Sequence, residues 1–312
     1  MPSPEFAKLL EAAEKAARDN EPVPGASVDE IIGAYRRETD ESLVIDGVAP
    51  RIAPATRIEK VSAGTVPSEW VLAEGADPDL RLMFIHGGGW VAGTLAGYRH
   101  QVEAMSHATG MAVLAIDYRL APEHPYPAGL NDCVSAWTWI LANGPVGESA
   151  PREVFLAGDS AGGNLTFALM LRLRDEGRRL PKAAAAFGPA TDFTCSSPSM
   201  TERAPFDPMI SPDDVAWMAS IYVTDDTPLI HPYVSPVFGD FAGLPPFLVH
   251  AGEREVLHDD GKRVVEKAVE AGIDARFKTL PGMVHTTEYW CHFVPEGMES
   301  LNEVGAYLRS HV

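Results

Sequence analysis

The sequence is short of cysteine, of positive charge and of long apolar runs. Its three cysteines are Cys133, Cys195 and Cys291, far apart and with no CxxC pair. An odd number at such spacings argues against a disulfide framework or a structural zinc site, and free thiols suit a reducing compartment. Lys and Arg number 25 against 44 Asp and Glu, a formal net charge of −19. Affinity for a phosphate backbone comes from cations that neutralise it, so nucleic acid is not an expected partner. An anionic membrane surface is disfavoured on the same ground. No stretch approaches the ~18 uninterrupted apolar residues of a membrane span. The opening segment MPSPEFAKLLEAAEKAARDNE carries charges throughout and lacks the basic-then-apolar order of a signal peptide. The expectation is a soluble, cytoplasmic protein.

What is present is core-forming material. Of 312 residues 46 % are apolar and 22 % charged, without long like-charge blocks. That excludes disorder as the dominant state and allows one large α/β domain or two smaller ones. Phe6, Leu9, Leu10, Ala13, Ala16 and Ala17 recur at helical spacing, and the run Glu21-Pro22-Val23-Pro24-Gly25 stops that helix. A second helix starts at Ser27, with Glu30 three residues on as in a capping box. Strands are expected over 57–62, 69–73, 82–86, 112–116, 153–157, 183–187, 246–250 and 275–280. Helical stretches fall over 98–109, 131–141, 162–175, 261–271 and 296–309. Strands alternating with helices of this length imply βαβ units and a mostly parallel sheet covered on both faces. No helix separates the first two strands, which predicts a hairpin at one edge. Residues 192–241 break the rhythm, yet they hold Phe193, Met200, Phe206, Met209, Ile210, Trp217, Met218, Ile221 and Tyr222. So apolar a segment is not a disordered loop. It reads as an inserted helical piece of a cap, against the plainer reading of a core extension.

Gly158-Asp159-Ser160-Ala161-Gly162 fits G-x-S-x-G between a strand-like stretch and a good helix. That is the setting of a nucleophile elbow, where small flanking residues allow a sharp turn that exposes the serine hydroxyl. The plainer alternative is a glycine-rich turn at a helix start. His86-Gly87-Gly88-Gly89-Trp90 directly follows the apolar strand residues Leu82–Ile85. Consecutive glycines let backbone N–H groups approach a developing oxyanion without obstruction. A phosphate loop is a poor fit, since neither Lys-[Ser/Thr] nor G-x-G-x-x-G follows. His86 itself is expected to shape the loop through hydrogen bonds. A serine needs a base, and the base an acid. Of the ten histidines His285 alone sits in a late loop after a core strand and before a helix. The acid should follow the strand over 246–250, where Glu253, Glu255, Asp259 and Asp260 all qualify by spacing. No metal or other cofactor is expected, because HExxH is absent and no Cys/His cluster has zinc spacing.

The order nucleophile, acid, base is that of the α/β-hydrolase fold. Through His86–Trp90, Asp117-Tyr118-Arg119-Leu120-Ala121-Pro122-Glu123 and 158–163, the chain resembles the bacterial hormone-sensitive-lipase family of carboxylesterases from about Leu82 to its end. The resemblance implies an eight-stranded, mostly parallel α/β-hydrolase sheet with helices on both faces and a helical cap. The core would be 51–191 and 242–312; the cap would comprise 1–50 and 192–241. In that family the acid sits in an Asp-Pro-Leu-x-Asp block. Glu255-Val256-Leu257-His258-Asp259 aligns with it, making Glu255 the acid and Asp259 its support, with Glu for Asp and Val for Pro as departures. A further departure is Thr286-Thr287 after the histidine, where an aromatic or small residue is usual. By the same resemblance Ser160 is the nucleophile and His285 the base. The N–H groups of Gly88, Gly89 and Ala161 are the oxyanion donors, and 118–123 braces the neighbouring loop. Hydrolysis of short- to medium-chain acyl esters is the implied activity, with a small-molecule ester as partner. A lactone hydrolase or an amidase would use the same machinery. A ligand receptor on this scaffold is the reading from another class, and retention of both Ser160 and His285 counts against it. Relatives also suggest a homodimer through the strand over 275–280.

Overall fold

The computed structural model describes residues 2–19, 26–41, 48–224 and 226–312. The Pro/Gly stop at 21–25 lies outside them. Helix α1 spans Pro4–Asp19 and α2 spans Val28–Glu41, the latter begun by a capping box in which Ser27 and Glu30 exchange hydrogen bonds.

Eight strands form one sheet: β1 (Arg57–Ala63), β2 (Val66–Leu72), β3 (Asp77–Ile85), β4 (Met111–Ile116), β7 (Glu153–Asp159), β8 (Ala184–Phe187), β9 (Phe247–Gly252) and β10 (Ala275–Leu280). The intervening β5 (Asn143–Gly144) and β6 (Gly147–Glu148) make a separate small hairpin. The spatial order is β1-β2-β4-β3-β7-β8-β9-β10. β1 and β2 form the edge hairpin, and β2 meets β4 antiparallel. From β4 to β10 every neighbour is parallel.

The run Leu82-Met83-Phe84-Ile85 explains why the sheet has two covered faces. Leu82 and Phe84 join one apolar cluster, while Met83 and Ile85 join the other. Side chains alternate across a strand, so an unbroken apolar run fits only a strand buried on both sides. α3 (Leu95–Thr109) and α9 (Pro295–Arg309) supply the first face through Val102, Met105, Leu301 and Leu308. α4 (Ala128–Ile140), α5 (Ala161–Asp175) and α8 (His258–Glu270) supply the second through Leu130, Trp137, Leu165 and Val264. Truncating Phe84 to Ala on the first face would cost about 3–5 kcal/mol.

β3 starts five residues earlier than the apolar run suggests, because it includes a charge that the pattern cannot accommodate. Arg81 is fully buried. Its guanidinium donates to the carbonyls of Ile140, Asn143 and Ser149 and to the Ser149 hydroxyl. A buried cation so completely hydrogen-bonded is tolerated in a strand.

The segment after β8 carries α6 (Ser199–Glu202) and α7 (Pro212–Tyr222). Ser211 and Asp214 form the capping box that starts α7, with Pro212 in its first turn. Val215, Ala219 and Tyr222 form its buried face. Cys133 and Cys291 are buried and Cys195 half-buried, each a free thiol.

Candidate active site

Parallel pairing aligns the carboxyl ends of the strands: Ile85 lies opposite both Ile116 and Gly158, and Phe187 opposite His250. The loops that leave β3, β7, β9 and β10 therefore emerge along one rim, the usual ligand-binding side of such sheets. Those loops begin with His86, Ser160, Glu253 and Pro281.

Ser160 stands between β7 and α5 with φ 51° and ψ −116°. A non-glycine residue in that region stores roughly 1–3 kcal/mol of strain. Two glycines make the turn possible. A Cβ on Gly158 would lie 2.4 Å from the Gly162 carbonyl oxygen, and one on Gly162 would lie 2.0 Å from that of Ile85. The turn is pinned by the Ser160 N–H donating to the Phe187 carbonyl at 2.8 Å.

His285 comes from the loop between β10 and α9. Its Nε2 is 2.9 Å from Ser160 Oγ, and its Nδ1 is 2.5 Å from Glu255 Oε2. Glu255 is fully buried, and its other oxygen accepts the Gly252 N–H at 2.6 Å. Of the four carboxylates compatible with the spacing, Glu255 is the one that meets the imidazole. Glu253 accepts the Gly282 N–H at the surface. Asp259 pairs with His258 and takes the Ser199 N–H. Asp260 is buried on Thr191 N–H, Asp192 N–H and the Ser197 hydroxyl. Burial alone would lower the proton affinity of His285. The hydrogen bond and charge of Glu255, with Asp207 and Asp159 behind it, outweigh that and raise it above the ordinary value of 6.5.

Gly88 and Gly89 turn with φ 100° and 60°. Among the described residues neither N–H is taken by a protein acceptor. Ala161 follows the serine directly, at the start of α5. The turn is held from outside. Gly87 N–H donates to Asp159 Oδ1 at 2.9 Å, and the Tyr118 hydroxyl donates to the His86 carbonyl at 3.0 Å. His86 is buried, stacks on Tyr118 with ring centroids 4.5 Å apart, and bonds its own loop through Nδ1. Burial depresses its pKa to about 4, so it stays neutral in a structural role. From above, Met218 of α7 lies on Gly89: a Cβ there would be 2.3 Å from the thioether sulfur. Trp90 stacks on Tyr222 and meets Phe193 edge-on. Arg36 of α2 donates to the Val91 carbonyl and forms two bonds to Glu123.

Three participants escaped sequence reasoning. Asp159 occupies the variable position of G-x-S-x-G, yet it is buried, supports Gly87, and is pushed by desolvation up to about 7. Gly188, φ 48°, leaves the space for the acid–imidazole contact: a Cβ on it would be 2.6 Å from Glu255 Oε2 and 2.8 Å from His285 Nδ1. Asp207 reaches the acid loop from the inserted segment and accepts the Val256 N–H at 2.8 Å. Each is recruited across many residues of chain, so no local spacing could signal it. Among the described residues, no group of three or more His, Cys, Asp or Glu is placed to hold a metal ion.

A polar succession beside a glycine turn is the chemistry of acyl transfer, and known proteins point the same way. Residues 82–288 match the family model described as the alpha/beta hydrolase fold. An acetyl-hydrolase of Streptomyces hygroscopicus is 38 % identical, over 80 % of this chain and 82 % of its own. A carboxylesterase of Mycobacterium tuberculosis is 32 % identical, over 80 % and 82 % respectively. The crystal structure of an esterase from the bacterial hormone-sensitive lipase family is 32 % identical and superposes with a TM-score of 0.87, over 100 % of this chain and 99 % of its own. The chain belongs to the α/β-hydrolase family, in its bacterial hormone-sensitive-lipase branch.

Proposed function

We propose that this protein is a serine carboxylesterase that cleaves short- to medium-chain acyl esters through an acyl-enzyme. One observation carries the reading: hydrogen bonds run in succession from Glu255 through His285 to Ser160 Oγ. In the first step His285 takes the serine proton as Oγ attacks the ester carbonyl, and Glu255 orients and stabilises the imidazolium. The carbonyl oxygen becomes an oxyanion facing the N–H groups of Gly88, Gly89 and Ala161. His285 returns its proton to the departing alcohol. Water, deprotonated by the same base, then attacks the acyl carbonyl; the C–Oγ bond breaks, His285 gives that proton to Ser160 Oγ, and the carboxylic acid is released.

Residues 1–50 and 192–241 act as the cap over the core formed by 51–191 and 242–312. The contacts of Arg36 with Val91 and of Met218 with Gly89 support that division. The short-chain preference accords with the relative named acetyl-hydrolase. The protein works in the cytoplasm, and the exposed edge of β10 pairs with a second copy; no strand covers that edge among the described residues.

The test is a panel of p-nitrophenyl esters, lactones and amides assayed with wild type and Ser160→Ala. Wild type should favour acetate to hexanoate esters, and the variant should lose on the order of 10⁴–10⁶ in kcat. Binding without turnover by the wild type would mark a receptor, and preference for a cyclic ester or an amide would reassign the substrate.

A further inference from the structure

The loop that carries Glu255 is clamped from outside by the segment that precedes α7. Arg254 Nε donates to the Phe206 carbonyl at 2.9 Å, and Val256 N–H donates to Asp207 Oδ2 at 2.8 Å. The other oxygen of Asp207 accepts Met209 N–H at 2.8 Å and Ile210 N–H at 3.3 Å. One carboxylate thus ties its own turn to the residue next to the acid. The tie depends on a departure already noted: position 256 holds valine where the family block has proline, and proline has no N–H to give. A glutamate also has one more rotatable bond than an aspartate, so its carboxylate needs a firmer anchor to meet an imidazole at a fixed distance.

We infer that Asp207 is a positioning residue for hydrolysis: it holds the Glu255 loop through Val256 and sets a second carboxylate beside the Glu255–His285 pair. The inference rests on the esterase reading. The arrangement has a defined electrical neighbourhood. His285 feels Glu255, Asp207 and Asp159, and the buried Glu288 in turn interacts with both Glu255 and His285. Asp207 feels His285 and Glu255, while burial pushes its own carboxyl upward. Arg254, the nearby cation, is engaged by Glu14 and the Phe206 carbonyl rather than by Asp207.

Asp207→Asn and Asp207→Ser remove the charge, and Val256→Pro removes the donor while leaving the carboxylate. Each is assayed on p-nitrophenyl butyrate from pH 5 to 9, with circular dichroism as the check on folding. In the two uncharged variants kcat should fall on the order of tenfold, since small misplacements of a triad are costly. The acid limb of kcat/KM should also move about half a unit lower, because one negative neighbour of the imidazolium is gone. Val256→Pro should lower kcat with the limb in its wild-type position. A purely structural aspartate would not move the limb. A folded Asn or Ser variant with an unmoved limb, or with undiminished kcat, overturns the inference. Should neither fold, an unchanged kcat in Val256→Pro overturns it. Ser160→Ala separates the two levels: activity that survives there defeats the esterase reading, whereas activity lost there with Asp207 variants unaltered defeats only the role of Asp207.

Discussion

His285 is pulled in two directions. Desolvation favours the neutral ring, and the surrounding carboxylates favour the charged one; the second influence prevails and its pKa rises. In the proposed mechanism the base must be neutral to accept the serine proton, so activity should fall as pH drops through that raised value. We therefore expect the acid limb of kcat/KM to have its midpoint above about 6.5, the unperturbed histidine value. Asp159 and Glu288, each lifted to about 7 mainly by burial, titrate over the same interval. As they become neutral they stop supporting the imidazolium, which should broaden the limb beyond a single-proton curve. A pH series on a butyrate ester measures both, and a sharp limb centred below 6.5 would contradict this account. At this scale the sequence was most legible where chemistry is local. Ser160 and His285 stand out by their neighbours in the chain. Glu255 did not, because four carboxylates share one short loop; only the likeness of 255–259 to the family block singled it out, and spacing could not say which of them turns inward toward residue 285. Asp159 and Gly188 were illegible, since their partners are brought by other strands.

Among elements, α7 is the one that lays a side chain of the inserted segment directly on Gly89. Its capping box and Pro212 fix where it starts, and its register then sets Met218 on Gly89 and Tyr222 on Trp90. Methionine fills irregular space with little specificity of its own, so shortening it should enlarge the site rather than wreck it. We expect Met218→Ala to raise kcat/KM for an octanoate ester relative to an acetate ester by about tenfold, the scale of a few methylenes gained in an apolar pocket. Stopped assays with both esters give the ratio directly; a ratio equal to that of the wild type would remove Met218 from the pocket wall. The strands and most helices could be located from apolar periodicity, because each is buried on a defined side. The beginning of β3 could not. Its buried Arg81 reads as a surface residue until the carbonyls that satisfy it are known.

For the whole molecule, the sheet ends at β1 and β10, and among the described residues no further strand joins it at β10. Along β10 partly buried residues alternate with exposed ones, and Arg276 and Lys278 are engaged by Asp274 and Glu303. In the proposed pairing, these ion pairs offset charges that would otherwise oppose a second strand. Sedimentation velocity across micromolar concentrations should show a dimer, and a monomer throughout would rule out this pairing. The order of strands and helices along the chain was readable from the βα rhythm. Which loops meet was not readable in the same way, because that follows from the alignment of strand ends across the sheet.

The crowding around Ser160 has a further consequence for heritable variation. Carbonyl oxygens fill the space where side chains on Gly158 and Gly162 would go, so drift at those two positions is barred whatever ester is being processed. Met218 contacts the site with a flexible side chain from a helix outside that turn. On the proposed function, exchanges on the helix would change which ester is accepted while the triad and its turn are inherited intact.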